Sequence, residues 1–369
     1  MASNFELYQS LLDKGILNMR NTPTLFSDLP EIEPDPSKVE GLLLGIAIGD
    51  ALGNTSESLP TNNMNPHSRR RRYGWITDYL PNKHAGNRRI GLPSDDTQLA
   101  FDTLIVILHR GYLDLEELAS TFASHRIFGI GGTVKSFLRN YKEFKMPWYR
   151  AGIRSSGNGA LMRISPILVP YIKDKDRDEL WANTVLDTMM THNDELAIAS
   201  SLAFIHLLAN FMGGEDDPER ELERVTEILE AVIGDKKYRV TRTGEEVRVP
   251  EYVQSVVESV LRDELSVSVM SEELGSSGYL LETLPTSLSI IMRYKDKPVD
   301  AILNAVNHTY DNDTIAAIVG TAMGALYGKT AFKDTWIRNL SGRIRKDDDG
   351  TVFKLIELTK DYLQNTYRI

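Results

Sequence analysis

The sequence predicts an all-α protein, one large helical domain preceded by a short arm, on three observations. Apolar residues recur at three- and four-residue spacing through 95–109, 114–126, 176–191, 194–212, 251–264, 278–292 and 311–327, the period of helices with a buried face. Strand-like alternation is scarce. No Gly-, Ser- or Pro-rich linker divides residues 39–369, so the 369 residues, which by length alone fit either two ordinary domains or one large helical or α/β unit, read as a single domain with its arm.

In chain order, residues 1–38 are the arm. Phe5, Tyr8, Leu11 and Leu12 fit one face of a short helix, and the proline- and acid-rich stretch 21–37 is expected to be irregular. Leu25, Phe26 and Leu29, set among Asp28, Glu31, Glu33 and Asp35, are either anchors for a partner or contacts to the arm's own domain. Gly41–Asp50 is the longest apolar run, shorter than the roughly 18–20 residues of a membrane span. Gly41, Gly45, Gly49 and Gly53 fall on one helical face, as do Gly320, Gly324 and Gly328. A glycine costs about 1 kcal/mol relative to alanine inside a helix, so the repeats imply tight packing or room for a ligand. Residues 238–250 break the helical pattern and are expected to form an extended loop, a hairpin being the other reading.

Composition narrows the function. A net charge of −10 disfavours nucleic acid as the main partner. The absence of cysteine excludes disulfides, thiolate nucleophiles and Cys-type zinc sites, leaving oxygen or imidazole to hold any metal. The N-terminus lacks a basic segment ahead of an apolar core, and the expected setting is cytoplasmic, with no membrane association.

Two helix starts carry unusual acid density, Ser94-Asp95-Asp96-Thr97 and Asp311-Asn312-Asp313-Thr314. One acid per helix start is explained by capping. Paired acids beside a hydroxyl repel one another unless protonated or neutralised, and hard cations such as Mg²⁺ or Mn²⁺ suit that donor set. Both readings stay open at this level. Ser155-Ser156-Gly157-Asn158-Gly159 presents backbone N–H groups in a phosphate-friendly manner, or is an ordinary turn. His192, in Thr191-His192-Asn193-Asp194, sits at a helix junction where a histidine is a catalyst or a structural hydrogen bonder, and Asp194 is a candidate cap. The Arg69–Arg72 run reads as a solvated loop, with phosphate contact as the functional alternative. His-Asp pairs, HExxH and GxxxxGK[ST] are missing.

In order, GLLLGIAIGDALGNTSE, SDDT, SSGNGALMRISP, THNDELAIA and DNDTIAAIVGTAMGALYG resemble the motifs of the ADP-ribosylglycohydrolase family. The resemblance implies a single large multi-helical orthogonal bundle over residues 39–369, with 1–38 as an extension. It implies a binuclear Mg²⁺ centre, with Mn²⁺ as alternative, and hydrolysis of the bond joining ADP-ribose to a protein side chain, arginine favoured over serine. By position, Ser94, Asp95, Asp96, Asp311, Asp313 and Thr314 match the metal-binding motifs. Glu57 matches an acid near the scissile bond, Asp95, Asp96 and Asp313 are candidates to hold the attacking water, and Ser155, Ser156, Gly157, Asn158, Gly159 and His192 match substrate contacts. Ser94 replaces the commoner Thr, and Thr309-Tyr310 stands where many relatives carry Gly-Gly. The implied partners are a mono-ADP-ribosylated protein and, since some bacterial relatives are immunity proteins, a cognate ADP-ribosyltransferase toxin that residues 1–38 would block. A stoichiometric toxin binder without turnover is the competing reading.

Overall fold

The computed structural model describes residues 3–32, 35–57, 65–172 and 176–365; Glu33 lies outside them. At its centre two helices, Pro36–Gly53 and Asn312–Tyr327, cross backbone to backbone. Gly41 faces Gly324 and Gly328, Gly45 faces Gly320, Gly49 faces Ala316, and Gly53 faces Asp313. At each position a Cβ would overlap the opposing main chain. The paired numbers run in opposite senses, so the helices are antiparallel, and the C-terminus of the first delivers its residues to the N-terminus of the second. The helix-interior cost of the glycines is offset by dispersion contacts that only bare backbones allow.

Both helices are apolar all round, the pattern of elements surrounded by protein; every residue from Gly41 to Gly53 is buried. Helices Glu195–Gly213, Leu280–Arg293 and Pro298–His308 pack on the second glycine helix, while Asp95–Arg110 and Thr351–Asn365 pack on the first. Glu195–Gly213 is long and apolar enough to cross a membrane by composition, and nearly all of it is enclosed by the other helices.

The expected helices are present with small shifts of their ends. The segment expected as a loop forms a hairpin, Lys237–Arg239 pairing antiparallel with Glu246–Arg248, and its last two residues, Val249 and Pro250, already open the next helix, Val249–Leu261. Helix Pro66–Tyr73 replaces the solvated loop expected at Arg69–Arg72; Pro66 at its first position and the Asn65 cap start it, but it carries no apolar stripe to announce it.

The arm is packed on the domain. Its helix Asn4–Asp13 opens with a Ser3–Glu6 capping box and buries Tyr8 and Leu11. Glu179 accepts from the amides of Asn4 and Phe5 at 3.0 and 2.9 Å. Phe26 is fully buried, edge-on to Trp181 with ring centroids 5.0 Å apart, and Leu29 is buried as well. These two side chains belong to the protein's own core, which removes them as free anchors for a partner.

Candidate active site

Most helices that begin at a Ser, Asp or Asn use that side chain as a cap: Ser3, Asp35, Asn65, Asp114, Asp176, Asp194, Asp217 and Ser266 all accept a backbone N–H. The two motif helices differ, since neither Ser94 nor Asp311 makes a side-chain cap bond. Asp50, reaching across from the first glycine helix, does the work at Asp95–Arg110. Its Oδ2 accepts from the Ser94 amide at 2.7 Å and from the Thr97 amide and hydroxyl at 3.2 and 2.6 Å, and its Oδ1 accepts from the Ser94 hydroxyl at 2.7 Å and Asn54 Nδ2 at 3.0 Å. The motif carboxylates are thereby left for another purpose.

The antiparallel glycine pair converges them. Carboxylate oxygens of Asp50, Asp96 and Asp313 come within 4.8 Å of one another, as do those of Glu57, Asp311 and Asp313. Asp313 belongs to both groups. Asp95 lies outside both triads and lines the adjoining cavity, where Gly129, at φ +91°, makes way for it: a Cβ there would meet Asp95 Oδ1 at 2.6 Å. Asp311 Oδ2 is oriented by Asn158 Nδ2 at 2.6 Å, so Asn158, expected as a substrate contact and present in the cavity wall, also serves a motif carboxylate.

This crowding raises the acids. Burial, then the charge of Asp311, lifts Glu57 to about 7, and burial, then Asp50, lifts Asp95 to about 8. Asp96 and Asp313 are driven well above the usual carboxylate range by burial first and by their neighbours' charges next. Asp96 Oδ1 is buried without a hydrogen-bond partner. An orphaned oxygen among hydrogen-poor carboxylates fits a divalent-cation donor set.

Arg69, placed by sequence on a solvated surface, is buried beside the cluster. It donates to the carbonyls of Ser56 at 3.0 Å, Thr309 at 2.6 Å, and Val306 and Tyr310 at 3.2 Å. It therefore ties the turn before Glu57 to the turn before Asp311. A run of four arginines gives no signal that one of them is internal.

A cavity of about 500 Å³ opens over the cluster, lined by Glu57, Asp95, Asp311, Asp313 and Thr314 on one side and by Gly131–Val134, Gly157–Gly159 and His192 on another. Ser155 and Ser156 are not among its lining residues. Ser155 Oγ pairs with Thr133 Oγ1 at 2.8 Å, and Ser156 Oγ donates to Asp194 Oδ1 at 3.0 Å, so both hold the glycine loop in place. Asp194 also caps the next helix, as expected, through Leu196 N at 3.1 Å.

His192 is buried against Gly157 and Gly159, where a Cβ on Gly159 would meet its Nε2 at 3.2 Å. Thr191 Oγ1 lies 2.8 Å from His192 Nδ1 and accepts from Arg163 Nη2 at 3.1 Å. Arginine only donates, and His192 Nδ1 is the one acceptor in reach of the Thr191 hydroxyl hydrogen among the described residues, so that hydrogen goes to Nδ1 and the ring hydrogen is assigned to Nε2, facing the glycine loop. Burial, then Arg163, lowers His192 to about 3. The ring is a neutral hydrogen-bond donor rather than a cation.

The fold matches that of a solved ADP-ribosylglycohydrolase-related protein complex, with TM-score 0.61 at 21% identity over 89% of this chain and 98% of that one. The carboxylate-floored, all-α architecture is thus of the ADP-ribosylglycohydrolase type. The profile of the ADP-ribosylglycohydrolase family matches residues 32–366, and the chain belongs to that family. Similar proteins include the ADP-ribosylarginine hydrolase Tri1 of Serratia proteamaculans, 26% identical over 87% of this chain and 79% of that one. The ADP-ribosyl-[dinitrogen reductase] glycohydrolase of Rhodospirillum rubrum is 22% identical over 86% and 95%.

Proposed function

We propose that this hydrolase removes ADP-ribose from a modified arginine side chain, using two divalent cations, Mg²⁺ or alternatively Mn²⁺. The observation that carries the reading is the sharing of Asp313 between two carboxylate triads at the floor of the cavity. Ser94, Asp95, Asp96, Asp311, Asp313 and Thr314 form the proposed ligand set, to which the geometry adds Asp50 and Glu57 as neighbours. Bound cations would neutralise the cluster and supply Lewis acidity toward ribose oxygens and water.

The chain's own groups account for the rest. Cleavage of the glycosidic bond builds oxocarbenium character on the ribose, while the departing guanidine needs a proton and the incoming water must lose one. Glu57, raised to about 7 by burial and the charge of Asp311 in the metal-free cluster, titrates near neutral pH, can both give and take a proton there, and is the acid/base candidate. Asp95, Asp96 and Asp313 are candidates to hold the water. His192 offers its Nε2 hydrogen to an oxygen of the bound ADP-ribose, and the 157–159 loop offers small residues beside it.

Arginine is favoured because the chain is similar to a hydrolase named for ADP-ribosylarginine; serine linkages and small ADP-ribose derivatives are the alternatives. An immunity role against an ADP-ribosyltransferase toxin, acting in the cytoplasm, is a further part of this reading, and its support is the resemblance of the motifs to those of bacterial immunity proteins. Direct blocking by residues 1–38 would have to use side chains other than Phe26 and Leu29, since these are buried. Substoichiometric protein incubated with an ADP-ribosylated substrate tests the reading: many turnovers support an enzyme, and release capped at one equivalent supports the binder.

A further inference from the structure

Residues 65–93 hold seven Lys and Arg against one acid, Asp78, in a chain of net charge −10. Arg69 is internal, but Arg70, Arg71, Arg72, Lys83, Arg88 and Arg89 are all exposed. Among the described residues none of these six has a carboxylate partner within 4 Å, and Asp78 is the one acid in the segment. The Arg70 guanidinium instead lies 4.9 Å from the ring centroid of Trp75, itself 37% exposed.

Both basic segments hang from the turn that delivers Glu57. Helix Pro66–Tyr73 is bound there by Arg69 to the Ser56 carbonyl, and the 82–89 loop by Asn82 Nδ2 to Thr55 Oγ1 at 3.2 Å. Arg69 also reaches the carbonyl of Tyr310, a cavity-lining residue. Arg70, Arg71 and Arg72 therefore start within about one helical turn, 5.4 Å, of a side chain bonded to the cavity wall, and the 82–89 loop is tied to the same Glu57 turn. Unpaired arginines beside a half-exposed tryptophan are the residue types that dominate interface energetics, and an uncompensated positive rim on an acidic protein steers an acidic partner.

We propose that the two basic segments tied to this turn, Arg70, Arg71 and Arg72 with Trp75 on one and Arg88 and Arg89 on the other, dock an acidic stretch of the ADP-ribosylated protein that flanks its modified side chain. The inference rests on the hydrolase reading for what enters the cavity. A protein segment is favoured over a nucleic acid because the basic area is short, an eight-residue helix spanning about 12 Å, and the remaining charge of the chain repels an extended polyanion.

The test compares the full-length, Mg²⁺-loaded protein with a triple charge reversal, Arg70→Glu, Arg71→Glu and Arg72→Glu, and with Arg88→Glu/Arg89→Glu as a second variant. Substrates are an ADP-ribosyl-arginine peptide with Glu/Asp-rich flanks, the same peptide with neutral flanks, and free ADP-ribosyl-arginine. The expected result is a tenfold or larger rise in KM for the acidic peptide, a flattened salt dependence for that substrate, and unchanged kinetics for the other two. Equal losses on all three substrates, or no loss on any, would overturn the proposal. So would loss of single-stranded DNA or RNA binding with unaltered KM for the acidic peptide. Binding of the acidic and neutral peptides to Asp313→Ala, with and without the triple reversal, reads docking without turnover: selective loss of the acidic peptide supports the surface even if the hydrolysis reading fails, and no difference overturns it.

Discussion

Thr97 donates both its amide and its hydroxyl to Oδ2 of Asp50, at 3.2 and 2.6 Å. One helix thus caps another through a fully buried carboxylate, and the motif acids Asp95 and Asp96 are freed from that duty. Thr97→Val removes the hydroxyl at constant shape. Stability in urea should fall by about 2 kcal/mol, the range for a hydrogen bond to a charged group. A loss below about 0.5 kcal/mol would mean that Asp50 is held without Thr97.

The glycine crossing makes a sharper prediction. Alanine at Gly45 places its Cβ on the Gly320 carbonyl, and the neighbouring backbone cannot give way as a side-chain tip would. We expect Gly45→Ala to destabilise by 3 kcal/mol or more, consistent with overpacking of a core, or to yield insoluble protein. Gly132→Ala, where a Cβ meets nothing within 4 Å, should leave Tm unchanged. Equal Tm values for the two variants would contradict the backbone-to-backbone contact.

The hydrogen-bond chain from Arg163 through Thr191 to His192 fixes a tautomer. In ¹⁵N-resolved NMR the free protein should show His192 protonated at Nε2 only. Thr191→Val should give a mixture of tautomers and raise KM for the ADP-ribosylated substrate about tenfold with kcat nearly constant, and Thr191→Ser should restore both. A wild-type ring protonated at Nδ1 would refute the assignment.

Stability should also respond to pH through a group far from the carboxylate centre. Burial lifts Glu221 to about 7, although Asn210 donates to it at 2.7 Å. Because the folded value is raised, the folded state holds a proton that the unfolded chain releases near pH 4.5. The stabilisation is complete below that pH and is lost as pH rises through about 7, at up to about 1.4 kcal/mol per pH unit. Glu221→Gln should therefore flatten the decline of Tm between pH 5 and 8; an unchanged decline would remove Glu221 as its source.

Much of this architecture could be read from spacing alone. The four-residue glycine repeats announced either tight packing or room for a ligand, of which the crossing is the first, and the helical period found the long amphipathic helices within a few residues of their ends. What stayed hidden depends on tertiary contact. Nothing local shows that Arg69 is internal while Arg70 to Arg72 are not, or that Asn158 serves Asp311 and Ser156 serves Asp194. The extension at Phe26 and Leu29 illustrates the same limit, because an apolar anchor for a partner and one for the chain's own core have identical local sequences. Asp50 was visible only as the acid closing an apolar run, and its five hydrogen bonds come from residues up to 47 positions away.

The central claim is a metal-assisted hydrolase built on Asp313. Its most direct test is mass spectrometry of mono-ADP-ribosylated Arg, Ser and Asp peptides incubated with substoichiometric protein and Mg²⁺, beside EDTA-treated and Asp313→Ala controls. The account predicts many equivalents of ADP-ribose released from the arginine peptide, and none in either control. Undiminished release in EDTA or with Asp313→Ala, or no release from any peptide by the Mg²⁺-loaded protein, would contradict it.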